Sequence, residues 1–274
     1  MAESILVVAA ESVTQLENVA GRVLVAGSHG GVIAAYLGAT AGAHALILND
    51  AGLGKDRAGI AGLFYLEAIG MAAAAVDCKS ARIGDGADML ARGVISHANA
   101  YAALCGVVAG LSCRDAAERM RRAPAPRSVP PPYADGRWRV ASGPPEVWAL
   151  DSIGKVEAAD AGRILVIGSH GALHGGRPES ALSVGAAAAL FNDAGLGADR
   201  IGVSRLPVLA ARGMPAAAVD CMSARIGDGR SMWEGGILSQ VNAAAAAIGA
   251  TRGMSVQAFV TRASEAVTAA QNRR

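Results

Sequence analysis

GRVLVAGSHGG at residues 21–31 returns as GRILVIGSHGA at residues 162–172, and the reading of this pair decides the fold. Each copy is a short apolar run that leaves through glycine, serine and histidine. Downstream, NDAGLG at Asn49 to Gly54 returns at Asn192 to Gly197, and AAAVDCKSARIGDG at Ala73 to Gly86 returns as AAAVDCMSARIGDG at Ala216 to Gly229. Order and spacing match, which is the signature of an internal repeat. The stretches between the motifs have diverged, GVIAAYLGATAGAHA against ALHGGRPESALSVGAAA, so the polar strings are held while their surroundings drift.

Within each copy the apolar runs VLVA, ALIL and AAAAV are short, continuous and separated by helix-length segments. Strands buried on both faces and alternating with helices predict a parallel sheet. The expected fold is therefore α/β, a tandem duplication of a parallel, doubly wound βα unit forming two pseudo-symmetric lobes. Residues 1–122 form the first lobe and 144–274 the second, and the proline-rich stretch 123–143 reads as an extended linker. A later stripe, Val94, Ala98, Tyr101 and Cys105, repeated as Ile237, Val241, Ala244 and Ile248, has helical spacing. Ser96, His97 and Asn99 fall beside that stripe, with Ser239, Gln240 and Asn242 as their partners.

Bulk properties narrow the function. Hydrophobic residues are 52% of the 274, charged residues 18%, and glycine contributes 35, which describes a packed chain and not a disordered one. A net charge of +2 and 4% aromatics supply neither the basic stripe nor the stacking surface of a nucleic-acid binder. Arg119, Arg121 and Arg122, and Arg273 and Arg274, read as solvated helix ends. The four cysteines form no CxxC pair, no segment reaches membrane-span length, and the amino terminus lacks a basic leader. The expectation is a cytoplasmic protein with reduced thiols, no nucleic-acid or membrane partner, and a composition that suits a homo-oligomer.

Ligands of parallel sheets collect beyond the carboxyl ends of the strands, where every repeated motif begins. After the first strand, Ser28 and His29, with Ser169 and His170 in the second copy, pair a hydroxyl with an imidazole. The Gly30 and Gly31 amides offer donors for an oxyanion. The structural alternative is a tight turn with a hydrogen-bonded histidine. After the second strand, Asn49 and Asp50, with Asn192 and Asp193, either brace a loop or orient His29 as a base. Lys55 exists only in the first copy. After the third strand come Asp77, Cys78, Ser80, Arg82 and Asp85, mirrored by Asp220, Cys221, Ser223, Arg225 and Asp228. Arginine's planar fork fits a substrate carboxylate, and the competing reading is an Arg82–Asp85 staple. Adjacent strand residues face opposite ways, so Asp77 and Cys78 share a pocket only if the strand has ended. No metal-binding motif and no cofactor motif is present.

Three functions are compatible with this constellation. The leading expectation is a cofactor-independent hydrolase of an amide, imide or related polar carbonyl compound. Ser28 or a water would be its nucleophile, His29 with Asp50 the base, and Arg82 the anchor for a polar or anionic substrate. The second is a two-base racemase or epimerase using Cys78 with Cys221 or His29 with His170. The third is a non-catalytic module that binds a small anion.

Overall fold

A computed structural model describes residues 5–272; Arg273 and Arg274 lie outside them. The chain divides into two compact units. One contains the residues up to Ala134 together with Leu196–Asp199, and the other contains Asp135–Gly195 and the residues from Arg200 onward.

The first unit runs β1 (Val7–Ala10), β2 (Val23–His29), α1 (Val32–Thr40), β3 (Ala45–Asn49), a 3-10 stretch Lys55–Ile60, α2 (Ala61–Ala68), β4 (Ala73–Val76), α3 (Gly86–Arg92), β5 (Ile95–Ala98), α4 (Ala100–Leu104) and α5 (Cys113–Met120). The second runs β6 (Arg137–Ala141), β7 (Val147–Leu150), β8 (Ile164–His170), β9 (Ala188–Asn192), α6 (Arg205–Ala211), β10 (Ala216–Val219), α7 (Gly229–Gly235), β11 (Leu238–Val241), α8 (Ala243–Ala247) and α9 (Val256–Gln271). Each unit holds one mixed, mostly parallel sheet, of five strands in order β1-β2-β3-β4-β5 and of six in order β11-β10-β9-β8-β7-β6. β1 to β4 are mutually parallel, as are β7 to β10, while β5, β6 and β11 pair antiparallel at the edges.

The continuous apolar runs are explained by burial on both faces. Val23, Val25, Ile47, Ala74 and Val76 point toward Met89, Cys113, Ala116 and Met120. Leu24, Ala26, Leu46, Leu48, Ala73 and Ala75 point toward Ala34, Ala35, Leu63 and Leu66. The α/β layering is as expected, but the doubly wound order is not. Strands follow one another across each sheet without a reversal, so neither sheet has the topological switch point at which ligands of doubly wound sheets sit. Both faces are covered because the chain leaving β4 returns over the carboxyl end of β2 before α3. Gly84 N–H donates to Gly27 O at 2.7 Å, and a Cβ on Gly27 would stand 2.4 Å from Asp85 N. The second unit repeats this crossing, with Gly227 N–H donating to Gly168 O at 2.9 Å.

Two local readings are corrected. The helical stripe beginning at Val94 is mostly a strand: Ser96 and His97 lie on β5, and only Ala100–Leu104 is helical. Asn99 ends the strand by capping α4. Its Oδ1 accepts from Ala73 and Ala102 N–H, both at 3.0 Å, and its Nδ2 donates to Leu63 O (3.2 Å) and Met71 O (2.9 Å). Asn242 makes the same four bonds to Ala216, Ala245, Leu206 and Met214. The proline-rich stretch is not a free linker either. Arg127 N–H donates to Ile69 O and Tyr65 Oη to Pro131 O, and residues 137–141 form the β6 edge strand. Among the described residues no helix is long and apolar enough to cross a membrane.

A buried asparagine that satisfies four backbone groups is expensive to remove, because each orphaned group retains its desolvation cost. Asn99→Ala is expected to destabilise the fold by about 3 kcal/mol, with Asn242→Ala costing about the same, as read by urea unfolding. Unchanged midpoints would refute this bracing role.

Candidate functional site

The repeated polar residues do gather at the carboxyl ends of the parallel strands, but most of their hydrogen-bonding capacity goes to backbone. Ser28 Oγ accepts from Val13 N–H at 3.0 Å and contacts Ser12 Oγ at 3.4 Å, and Ser169 Oγ accepts from Ile153 N–H at 2.9 Å. Each serine thereby holds the segment that follows the first parallel strand of its unit. Ser28, His29 and Asp50 make no hydrogen bond to one another, so the expected Ser-His-Asp relay is not assembled.

The proposed oxyanion amides are likewise occupied. Gly30 N–H donates to Asn49 O at 2.7 Å, and Gly31 N–H donates to His29 Nδ1 at 3.1 Å. His170 Nδ1 accepts from Ala172 N–H at 3.3 Å, and Gly171 N–H bonds Asn192 O at 2.8 Å. An imidazole that accepts at Nδ1 carries its proton on Nε2. Burial also pushes the His29 pKa down to about 4, which keeps the ring neutral and makes it a poor base at neutral pH.

Asn49 Oδ1 accepts from Ala51 N–H at 2.9 Å, and Asp50 Oδ1 from Gly52 N–H and Cys78 N–H, both at 3.0 Å. Asn192 and Asp193 make the same bonds to Ala194, Gly195 and Cys221. These contacts hold an unusual loop. Ala51, Leu53, Asp56 and Arg57 have φ of 50, 62, 55 and 56°, and Ala194, Leu196, Asp199 and Arg200 have 48, 64, 54 and 56°. Left-handed backbone at non-glycine residues costs about 1 kcal/mol each and survives only where the surroundings over-determine it. Lys55 sits half-buried in this loop.

Beyond β4, Ser80 Oγ donates to Asp77 O and accepts from Val94 N–H, as Ser223 does with Asp220 O and Ile237 N–H. Asp85 and Asp228 are helix N-caps, accepting from Asp88 and Ser231 N–H. Arg225 forms the expected staple with Asp228 at 2.9 Å. Arg82 instead pairs at 2.9 Å with Asp199, in the Leu196–Asp199 segment that clusters with the first unit, and remains 44% exposed in its side chain.

What the fold brings together is a trio. β4 ends at Val76, so the alternation that would separate Asp77 from Cys78 has already stopped. Donor atoms of Asp50, Asp77 and Cys78 lie within 4.8 Å of one another, as do those of Asp193, Asp220 and Cys221. The sequence presents Asp77 and Asp220 only as neighbours of the cysteines, and it carries no mark of the strand end that turns them into the trios. Burial first, then the nearby Asp50 carboxylate, pushes the Cys78 thiol up to about 12, and burial with Asp193 does the same to Cys221. Two carboxylates and a thiol are also a donor set that a zinc-like cation accepts, and such a cation would deprotonate the thiol. Without one, each trio is a protonated thiol beside two carboxylates.

A cavity of about 490 Å³ in the first unit, lined by His44, Met71 and Arg127, lies at the opposite, amino-terminal side of the strands. One of about 680 Å³ in the second lies between Pro144, Trp233 and Val260. Neither touches a trio. The chain matches no known protein family, no curated protein and no solved structure.

Two measurements check this electrostatic picture. His29 is neutral when folded but takes a proton near 6.5 when unfolded, so the stability it contributes is complete above about pH 6.5 and is lost as pH falls toward about 4. The decline in urea midpoint across that window is expected to be shallower in His29→Gln than in the parent; equal slopes would show that His29 titrates normally. Iodoacetamide at pH 7.5 is expected to label Cys78 and Cys221 far more slowly than a free thiol, and rapid labelling followed by mass mapping would contradict the raised pKa values.

Proposed function

We propose that the chain is a hydrolase of a small polar carbonyl compound, an amide or imide, and that the reaction is run by the trio beyond β4. The observation that carries this reading is the convergence of Asp50, Asp77 and Cys78 donor atoms within 4.8 Å. Asp50 Oδ1 accepts from two backbone amides and Asp77 Oδ1 from one, Lys79 N–H at 2.8 Å, so Asp77 is the less committed carboxylate and serves as the base. It takes a proton from water as the oxygen adds to the carbonyl carbon. The C–N bond then breaks while the nitrogen receives the Cys78 proton, and the proton on Asp77 returns to the thiolate. Ser28 drops out as nucleophile because its hydroxyl is engaged by Val13 and Ser12.

The matching element order, the two trios and the two strained loops support an origin of the units by tandem duplication. A polar or anionic substrate, a cytoplasmic location and self-association accompany the proposal. A second reading, proton transfer at carbon by an isomerase, is favoured by the placement in each unit of a thiol with two carboxyl groups, their donor atoms within 4.8 Å of one another.

The test is incubation of the full chain with cyclic imides, ureides and amino-acid amides in deuterium oxide, read by mass spectrometry. Hydrolysis appears as gain of one water, and Asp77→Asn is expected to lower the rate by about 10²–10⁴-fold. Deuterium at the α-carbon without ring or amide opening would replace the hydrolase by the isomerase. Turnover indifferent to both Asp77→Asn and Asp220→Asn would remove the trios from the chemistry.

A further inference from the structure

Arg205 begins α6 and is wholly buried, at 0% exposure. Its NH1 donates to the Ser180 and Ala181 carbonyls, its NH2 lies 3.5 Å from His174 Nε2, and its Nε has no partner. Among the described residues no carboxylate pairs with it. Elsewhere in the same unit, Arg137 and Arg163 reach Asp160 at 2.7 and 3.0 Å. The Phe191 ring, 5.4 Å from the guanidinium carbon, and the two carbonyls offset part of the burial, but they bring no negative charge. A guanidinium taken out of water without a counter-charge costs several kcal/mol.

The repeat sharpens the point. In the aligned motifs Arg205 stands where the first unit has Gly62, whose Cβ would meet Ala35 of α1 at 2.7 Å. In the second unit residues 172–187 form irregular turns in place of that helix. A residue that only filled the space would need no charge. His174 Nε2 accepts from the guanidinium, so this ring is neutral; burial and Arg205 push its pKa down to about 4. The His170 ring stands edge-on to it, with centroids 5.8 Å apart, placing the group beside the end of β8.

We infer that Arg205, with His174 beside it, is the recognition group of a site for a small carboxylate, which is admitted when residues 174–182 shift. NH1 is engaged by two carbonyls and one NH2 hydrogen by His174, so the Nε–H and the second NH2 hydrogen remain, and these two parallel donors match the two oxygens of one carboxylate. The carboxylate supplies the missing charge, while His174 fixes the plane of the guanidinium. This site stands apart from the hydrolytic reading and does not depend on it.

The experiment titrates the full chain with sodium acetate and with acetamide, its neutral counterpart, at constant ionic strength. Thermal melting and the Arg205 Nε–H signal in ¹H–¹⁵N spectra are followed together. The expected result is a saturable rise in Tm and a saturable shift of the Nε–H signal with acetate only, with the Tm rise gone in Arg205→Met. An acetate response equal in parent and Arg205→Met, or an Nε–H signal unmoved by acetate, overturns the inference. Should Arg205→Met fail to fold, the parent's Nε–H titration decides alone, and His174→Gln is expected to weaken acetate binding by about tenfold because the guanidinium loses the contact that fixes its plane.

Discussion

Asp50 ties the exit of β3 to the exit of β4 through a single carboxylate oxygen, which accepts from Gly52 and Cys78 N–H. Its position determines much of what surrounds it. The bond to Gly52 helps hold the chain in the left-handed run that follows, and the bond to Cys78 fixes where the third motif leaves the sheet. With both exits fixed, Asp77 and Cys78 turn toward Asp50, and the returning chain reaches Gly27 on β2. Asp193 does the same for β9 and β10.

The identical strings thereby acquire a physical account that does not begin with chemistry. NDAGLG holds because successive left-handed residues need the Asn and Asp side chains as internal acceptors, and GSHG and SARIGDG hold because they cross with little room for a Cβ between them. Function has to be sought in what this bracing leaves over. In each trio a thiol lies against a carboxylate that is itself bonded to backbone, Cys78 against Asp50 and Cys221 against Asp193. Cys78 and Cys221 are also the groups whose pKa values are pushed furthest from ordinary within the repeated motifs, together with the neutral His29 ring.

Where the units differ, the difference is local. The first covers one face of its sheet with α1 packed on Gly62; the second dispenses with that helix and seats Arg205 and His174 beneath irregular turns. The same sheet face therefore carries a tightly packed helix in one unit and a buried cation in the other. The stretches between motifs thus differ in the chemistry they bring to that face, while the strand exits are the same in both units.

Residue order alone determined the two βα units, the burial of VLVA and ALIL on both faces, and the collection of polar motifs at the strand ends. These follow from periodicity and turn chemistry, which are local. Nothing local marks Arg205 as buried; its burial is a tertiary fact. Only the tertiary structure decided which polar groups bond to which. Ser28 is taken by Val13, Gly30 by Asn49 and Cys78 by Asp50, across separations of 15 to 28 residues that local pattern does not encode. The monotonic strand order, the strand at β5 and the end of β4 before Asp77 were decided there too, because hydrogen bonds between distant segments override the spacing of apolar residues when the two conflict.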